Sequence, residues 1–296
     1  MKFCIVAYDT SFALGKSSGA INGGTAWLWH IQHTLQAMGH EAFMVDNGSY
    51  IPDADVVIIQ SEWYGTQGQP ERFKAMRKNG TKLVVILGHF IGGVYYNPDW
   101  IEADVFVSTW KGPVVDNNKH KVKFWPHAYC DVCDKEGSER KGDVIWVGNN
   151  YPLRNEGWFD RINVTKVQGI MPDELGKLYR GSQICINLHG SFQKGEVSTL
   201  PSTLATEPGF ACNERLFQVC GAGGFQIADD NPQIREFYTE EEVVCAKDAE
   251  DFKGKIDFYL DNPEARQKFV EKAKERTMCD HTYRKRCENL ISWINE

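Results

Sequence analysis

Short apolar runs alternate with helical stretches along the first 130 residues. Five runs are predicted to be strands, at residues 2–7, 41–45, 55–60, 82–87 and 104–108. Leu28, Ile31, Leu35 and Met38 recur at helical spacing, and residues 70–79 predict a second helix. Runs without polar alternation are typical of parallel strands covered on both faces, so this half is predicted to be βαβ in character.

The same rhythm restarts after a charged stretch at residues 134–143. Strands are predicted at residues 144–147, 164–167, 183–188, 225–228 and 243–246, and helices at 172–180, 214–220, 252–260, 263–276 and 284–294. Two βαβ halves with a hinge near residues 130–142 predict an α/β protein of two doubly wound, Rossmann-like domains that face each other. Ligands in such sheets bind beyond the carboxyl ends of the strands, so the cleft between the domains is the expected site.

Composition places the chain among globular proteins, because 42% of its 296 residues are hydrophobic and 25% are charged. No apolar run approaches the roughly 20 residues that span a bilayer, and the first residues lack a signal-peptide pattern. We therefore expect a cytoplasmic protein with no membrane span. The net charge of −7 falls on residues 131–296, which disfavours nonspecific nucleic-acid binding. The neutral first half can still hold a local basic groove.

Cysteine usage predicts reduced thiols. There are nine cysteines, and Cys4, Cys185 and Cys245 sit inside apolar strand patterns. Cys130 and Cys133 have CxxC spacing, but no second pair completes a four-ligand zinc site and no thioredoxin-like unit surrounds them. We expect no metal or redox role for this pair.

Three glycine- or arginine-bearing turns are candidates for an anion site. Gly23 and Gly24 precede the first helix, where free backbone N–H groups attract anions, although a plain turn fits equally well. Asn213 and Arg215 open a short helix that runs into a second Gly-rich turn, and the arginine fork suits phosphate, the alternative being a capped structural turn. Arg154 follows the strand at 144–147, where a solvated surface role is as reasonable.

Polar residues at strand ends form a second group of candidates. Asn187 and His189 follow one predicted strand, and His89 follows another. A single histidine is more often structural, so each has a plain alternative. No Ser-His-Asp order, HExxH or Walker motif accompanies them.

The second half resembles the CgeB-like (spore-maturation) glycosyltransferases. The resemblance lies in CNERLFQVCGAGGFQIADD at 212–230, WPHA at 125–128, VIWVGNNYPLR at 144–154, the helix before ICINLHG, and HTYRKR at 281–286. Each motif is short, but they occur in the family's order over most of residues 120–290. Residues 1–130 match only in their βαβ rhythm and the Gly23-Gly24 turn.

This resemblance implies a GT-B fold, with an acceptor-side domain at 1–130, a nucleotide-sugar-binding domain at 131–275, and a last helix, 276–296, that packs back on the first domain. It implies that a nucleotide-diphospho-sugar, UDP-linked as the first choice, is the donor substrate and that no other cofactor is needed. Together with the turns described above, it gives these expected donor-binding residues: Gly23, Gly24, Arg154, Asn187, His189, Asn213, Arg215, Gln218, Gly223 and Gly224.

One position departs from the family. Gln218 stands where the family usually has a glutamate that accepts hydrogen bonds from both ribose hydroxyls, and an amide can hold ribose less firmly. The leaving diphosphate can be stabilised by cations and helix amides, so we expect a metal-independent transferase. If the reaction inverts, it needs a base, for which Asp9, Glu62 and His89 are the candidates.

The acceptor stays open between a small molecule or polysaccharide, a protein, and a 5-hydroxymethylated pyrimidine in DNA, which we rank first. Basic and aromatic residues of the first half can form a stacking groove for DNA: Arg72, Lys74, Arg77, Lys78, Lys82, Lys119, His120, Lys121, Lys123, Trp27, Trp29, Trp63, Tyr64, Tyr95 and Tyr96. The alternative is a solvated charged face with ordinary core aromatics. A nucleotide-sugar epimerase and a noncatalytic nucleotide-sugar-binding protein are the rival functions.

Overall fold

A computed structural model describes residues 1–7, 23–47, 49–60, 69–87, 102–109, 121–148, 157–189 and 212–296. These residues form two compact units, Met1–Pro126 with Tyr283–Glu296, and His127–Thr282. The first unit therefore ends before the predicted residue 130, and the returning segment begins at 283 and not at 276. The reason is local, because Tyr129 pairs with Thr282 through a β-bridge and its N–H donates to the His281 carbonyl at 2.9 Å, which keeps both segments in the second unit.

The first unit is a parallel sheet with helices. Its strands are β1 (Lys2–Ala7), β2 (Glu41–Asp46), β3 (Val56–Gln60), β4 (Lys82–Leu87), β5 (Val105–Ser108) and β6 (Val122–Phe124), in the order β2-β1-β3-β4-β5-β6. Its described helices are α1 (Gly23–Ala37), α2 (Gln69–Lys78) and the returning C-terminal helix. β6 was not predicted. It is a short edge strand within a polar, basic stretch, and its pairing with β5 defines it.

Packing of the returning helix explains why residues so distant in sequence share the first unit. The Trp125 indole N–H donates to the Arg286 carbonyl at 2.9 Å, and Arg286 Nε donates to the Pro126 carbonyl at 3.0 Å. The ring of His30, on α1, stacks on Tyr283 with centroids 5.7 Å apart. Burial lowers the pKa of His30 to about 3, so this ring is a neutral part of the core at physiological pH.

The second unit is also a parallel sheet. Its strands are β7 (Val144–Val147), β8 (Thr165–Val167), β9 (Ile184–Asn187), β10 (Gln226–Asp229) and β11 (Val244–Ala246), in the order β11-β10-β9-β7-β8. Its helices are α3 (Leu175–Gly181), which follows a 3₁₀ turn at Pro172–Glu174, then α4 (Glu214–Ala222), α5 (Ile234–Phe237), α6 (Ala249–Asp261) and α7 (Pro263–Asp280). The returning helix of the first unit is α8 (Tyr283–Asn295).

The central strands of the second unit, β9 and β10, bury both faces, as continuous apolar runs predict. Cys185 and Ala228 belong to the cluster that contains Leu216 and Phe217 of α4, whereas Ile184 and Ile186 belong to the cluster on the other face, with Trp146 and Phe252. Side chains two residues apart in a strand share a face. Asn187, two residues after Cys185, therefore belongs to the face that α4 covers.

The cysteines of the protein include one bonded pair. Cys130 and Cys133 form a disulfide, which corrects the expectation that all nine thiols are reduced. Cys4 and Cys185 are free and buried, as predicted, and burial raises the pKa of the Cys4 thiol to about 12.

Among the described helices there is none with the length and hydropathy needed to cross a membrane.

Candidate functional site

Polar side chains gather at the carboxyl edge of the second unit's sheet, around the start of α4. Asn213 caps this helix, because its side-chain oxygen accepts from the Leu216 N–H at 3.2 Å. Its amide nitrogen donates to the Leu188 carbonyl, just after β9, at 3.3 Å. The start of α4 is thereby tied to the end of β9, where parallel α/β sheets bind ligands.

Arg215 is the charged residue of this cluster. Its guanidinium lies 4.3 Å from the centroid of the Trp146 ring, its Nη1 donates to Asn187 Oδ1 at 3.4 Å, and it interacts electrostatically with the Tyr179 side chain. Residues from β7, β9 and α3 thus support one side chain. Burial lowers the pKa of Arg215, but an arginine stays charged under such conditions. The result is a half-buried cation in a fixed orientation.

A second polar pair fixes the orientation of Asn187. Its amide nitrogen donates to Gln226 Oε1 at 3.0 Å, and Gln226 Nε2 in turn donates to the Leu216 carbonyl at 2.9 Å. Because the Asn187 nitrogen is used by β10, its oxygen is the atom left to accept from Arg215. This buried network links β9, β10 and α4.

Gly148, directly after β7, leaves the room that Arg215 occupies. A Cβ atom at this position would lie 3.0 Å from Arg215 Nη2 and 3.2 Å from Trp146 Nε1. Any side chain at residue 148 would therefore press on the guanidinium or on the ring beneath it. The end of β7 contributes to the site by having no side chain there.

His189 and Asp229 form a buried pair at the same edge of the sheet. His189 Nδ1 lies 2.6 Å from Asp229 Oδ1, and the same oxygen accepts the His189 backbone N–H at 3.0 Å. The two side chains are 1% and 0% exposed. Asp229 ends β10 and His189 follows β9, so the pair joins the ends of adjacent strands.

This arrangement is suited to binding an anion. A capped helix start offers backbone N–H groups and a positive dipole end, and Arg215 adds a preoriented cation with several donors. The supporting contacts reduce the conformational entropy lost when the guanidinium binds a ligand. A phosphate or diphosphate has the charge and the acceptor oxygens that such a site can bind.

A comparison of the sequence with protein-family models bears on the chemistry. Residues 133–292, more than half of the chain, match the family described as glycosyl transferase-like. The chain belongs to the glycosyl transferase-like family. It is accordingly a glycosyltransferase that uses a nucleotide sugar, as the sequence predicted.

Solved structures share the fold of this glycosyltransferase. Sucrose-phosphate synthase from Thermosynechococcus elongatus is 11% identical over 99% of this chain and 98% of its own, with a TM-score of 0.63. T4 phage BGT in complex with its UDP-glucose substrate is 10% identical over 100% of this chain and 98% of its own, with a TM-score of 0.53. A DNA modifying enzyme, beta-glucosyltransferase, is 10% identical over 100% of this chain and 98% of its own, with a TM-score of 0.54.

These likenesses establish the fold as GT-B, with two Rossmann-like units, which confirms the predicted fold class. No match to a curated protein was found.

Several predicted site residues of the glycosyltransferase lie outside the described residues: Asp9, Glu62, His89 and Arg154. Their roles stay predictions. Gly23 and Gly24 are the first two residues of α1, the helix that follows β1, so a helix does begin at the predicted turn.

The Gly223-Gly224 turn was expected beside the diphosphate, and it lies at the other end of α4 from Asn213. Both glycines follow the C-terminal end of α4 and lead into the amino end of β10. Nine residues of helix, at about 1.5 Å each, separate them from the Asn213 end. Gly223 has a left-handed backbone, φ 83°, and its N–H donates to the carbonyls of the last turn, so this turn ends the helix.

Gln218 was expected to face the ribose, yet its amide is used within the second unit. The side chain is 6% exposed. Its Nε2 donates to the Ala128 carbonyl at 3.3 Å and lies 3.4 Å from Glu214 Oε1. We assign Gln218 to the packing of α4 against the segment at Ala128, and we do not include it in the donor site.

Several cations of the predicted basic groove are engaged within the first unit. Arg77 pairs with Glu102 and Asp104, and Lys82 also pairs with Asp104. Arg72 donates to two backbone carbonyls that follow β2. These cations are therefore engaged by acidic side chains or by backbone. Three other lysines of the predicted groove are exposed: Lys74, Lys78 and Lys121.

The aromatic part of that groove is likewise corrected where it is described. Trp27 and Trp29 are 3% and 9% exposed, which makes them core residues of α1 and not stacking platforms. Lys123 pairs with Glu296 of the returning segment. Six groove residues lie outside the described part of the chain: Trp63, Tyr64, Tyr95, Tyr96, Lys119 and His120.

Four residues of the site were not predicted: Trp146, Tyr179, Gln226 and Asp229. Asp229 follows the rule that selected Asn187, since it stands at the carboxyl end of a predicted strand, and could have been found by it. Trp146 and Tyr179 lie inside an apolar strand and a helix, so only their contacts with Arg215 reveal them.

Proposed function

We propose that this glycosyltransferase moves a sugar from a UDP-sugar to the hydroxyl of a 5-hydroxymethylated pyrimidine in DNA, with its donor held at the start of α4. The observation that carries the donor site is the support of Arg215 by Trp146, Asn187 and Tyr179 at the carboxyl edge of the second unit's sheet. We also propose that this chain belongs to the CgeB-like members of its family, whose motifs it resembles.

The donor end of the proposal follows from charge and geometry. Departure of a sugar from a nucleotide-diphospho-sugar leaves negative charge on the diphosphate, and a preoriented cation stabilises that charge as it develops. Arg215 supplies the cation, and the α4 N-terminus supplies backbone N–H groups next to the Asn213 cap. Uracil is proposed as the base because the T4 phage relative binds UDP-glucose.

We also propose that no metal ion is needed, because Arg215 and the helix N-terminus supply positive charge where a metal would otherwise neutralise the diphosphate. Sugar transfer that continues in the presence of EDTA would agree with this. Transfer that stops with EDTA and returns with added Mg²⁺ would contradict it.

The DNA acceptor is supported by fold neighbours. One fold neighbour is a DNA modifying enzyme, and the T4 phage relative shares the fold over the whole chain. The predicted basic groove supports it less, because Arg77 and Lys82 are ion-paired. For an inverting reaction Asp9, Glu62 and His89 remain the candidates for the base that takes the acceptor proton.

The test begins with donor binding. Thermal melting of the protein is measured with UDP, GDP, CMP and UDP-glucose, since a ligand that binds only the folded protein raises its melting temperature. We expect UDP and UDP-glucose to stabilise the protein, and GDP and CMP to do so less. If none of the four ligands shifts the melting temperature, the donor site is refuted. Binding of UDP-glucose without turnover would favour the noncatalytic alternative.

The acceptor is tested with UDP-glucose and two DNA duplexes of identical sequence, one with cytosine and one with 5-hydroxymethylcytosine. Mass spectrometry of the digested nucleosides should detect the added hexose only on hydroxymethylcytosine. Transfer to small-molecule acceptors without transfer to either duplex would refute the DNA part and leave the transferase part standing. Sugar conversion without any acceptor would favour the epimerase alternative.

A further inference from the structure

The His189–Asp229 pair fixes which nitrogen of the imidazole is free to act. Asp229 Oδ1 accepts from both the backbone N–H and Nδ1 of His189, so two donors converge on one carboxylate oxygen. Nδ1 therefore carries a proton, and in the neutral ring Nε2 presents a lone pair. The ring cannot rotate without breaking a buried hydrogen bond.

Nε2 is the unusual atom of the His189 ring. It is buried, and it has no hydrogen-bond partner among the described residues. Buried polar atoms of native proteins almost always have a partner, and an exception calls for an explanation such as a bound ligand. The ring is thus held by one nitrogen, and the other is left to accept a hydrogen bond.

The position of His189 relates this nitrogen to the donor site. Leu188 packs in the core on the far face of the sheet, whereas Asn187 lies on the face that α4 covers, where it contacts Arg215. The alternation of side chains along an extended segment gives His189 the same face as Asn187. The Leu188 carbonyl, one residue before His189, accepts from Asn213 at the start of α4.

We propose that His189 Nε2 accepts a hydrogen bond from a hydroxyl group of the bound nucleotide sugar, and that Asp229 positions the ring for it. This inference rests on the proposed donor site. Phosphate oxygens carry no proton to donate at neutral pH, so a lone pair suits hydroxyls and leaves the phosphates to Arg215. A nucleotide sugar offers hydroxyls on its ribose and on the sugar that is transferred, and the experiment separates these two sources.

Two substitutions of His189 separate its two nitrogens. In His189→Asn the amide nitrogen replaces Nδ1 and still donates to Asp229, but nothing replaces Nε2. In His189→Gln the amide reaches the position of Nε2 and can offer its oxygen as an acceptor. Dissociation constants are measured by calorimetry for UDP-glucose, UDP, and two UDP analogues that each lack one ribose hydroxyl.

His189→Asn should weaken the affinity for UDP-glucose about tenfold, the effect of losing one buried hydrogen bond, and His189→Gln should restore most of it. An unchanged affinity for UDP would assign the bond to the transferred sugar. An equal loss for UDP, absent with one of the two analogues, would assign it to the ribose.

The inference is overturned if His189→Asn binds UDP-glucose and UDP within twofold of the unaltered protein, or loses the same factor with all four ligands. Circular dichroism shows whether each variant is folded. If His189→Asn does not fold, Asp229→Asn serves in its place, because its amide can donate to Nδ1 and move the ring proton to Nε2. It should then lose affinity for the same ligands, and unchanged affinity overturns the inference.

Failure of the proposed function gives a different result. In that case the unaltered protein itself binds neither UDP nor UDP-glucose. If only this inference fails, the unaltered protein still binds both ligands, and the His189 substitutions do not change the affinity.

Discussion

Two arginines of the second unit lie at opposite ends of α4 and differ in how their donors are used. Arg180 extends to the C-terminal end, where it bonds Asp134 in bidentate fashion and also reaches the carbonyls of Lys135, Gly137 and Ala222. Arg215, at the N-terminal end, has Asn187 and Tyr179 as partners and stacks on Trp146. Arg180 therefore ties backbone together, whereas Arg215 is oriented but keeps donors for a ligand.

This difference teaches that residue type alone does not identify a binding arginine. Both side chains are partly buried and both contact neighbouring elements. What separates them is the direction of α4 relative to the strands, because its start lies at the carboxyl edge of the sheet and its end at the amino edge. Substitution of Arg180 should therefore lower the stability of the protein, whereas substitution of Arg215 should lower its affinity for the donor.

The largest effect is expected for stability at the C-terminal end. Arg180→Ala leaves Asp134, whose side chain is 11% exposed, without its ionic partner, and should lower the free energy of unfolding by about 3 kcal/mol. Tyr129, whose hydroxyl donates to the same carboxylate at 2.5 Å, cannot replace the lost charge. Urea unfolding measures the change, and the affinity for UDP should stay within about twofold.

The control for this substitution is Lys177→Ala on the same helix, α3. Lys177 pairs with Glu174 at the surface, and such pairs contribute about 0.5 kcal/mol or less. Equal destabilisation by the two substitutions would mean that Arg180 is an ordinary surface residue.

At the other end, Arg215→Ala should weaken UDP binding about thirtyfold, because a charge-assisted contact to the diphosphate is lost. Calorimetry measures the dissociation constant. Arg276→Ala, an exposed arginine paired with Glu242 and Asp280, is the matched control and should leave it unchanged. A folded Arg215→Ala protein with full UDP affinity would remove Arg215 from the donor site.

A smaller effect on stability is expected at the glycine turn. Gly223→Ala places a Cβ on a left-handed residue and should cost about 1 kcal/mol of unfolding free energy, with UDP affinity unchanged. Gly39→Ala, at a left-handed turn of the first unit, is a matched control for backbone strain. If Gly223→Ala weakened UDP binding more than fivefold, the turn would belong to the donor site after all.

The smallest effect concerns the ring beneath Arg215. Trp146→Leu should weaken UDP binding about fivefold through loss of the cation–π contact, and Trp146→Phe, which keeps a ring, should weaken it less. Both substitutions shrink a buried side chain and lower the melting temperature, so the comparison is between their affinities. An equal loss of affinity in both would indicate that packing, and not the ring, positions Arg215.

Much of the fold was predictable from local patterns. Strands such as Lys2–Ala7 and Lys82–Leu87 are continuous apolar runs, and their boundaries agree with the prediction. β6 was missed because Val122–Phe124 is short and lies in a basic stretch, so its strand character depends on pairing with β5. Similarly, the Cys130–Cys133 bond depends on how the segment before β7 folds, which no spacing rule specified.

By itself, the sequence determined the α/β class, the βαβ rhythm and the polar residues at strand ends, because burial periodicity and strand termini are local properties. Tertiary structure decided which of those residues meet. It brought Asn187, His189, Asn213 and Arg215 to one edge of a sheet and placed Gly223 and Gly224 at the other. It also added Trp146 and Asp229, since a cation's support and a histidine's tautomer depend on residues that are distant in sequence and close in space.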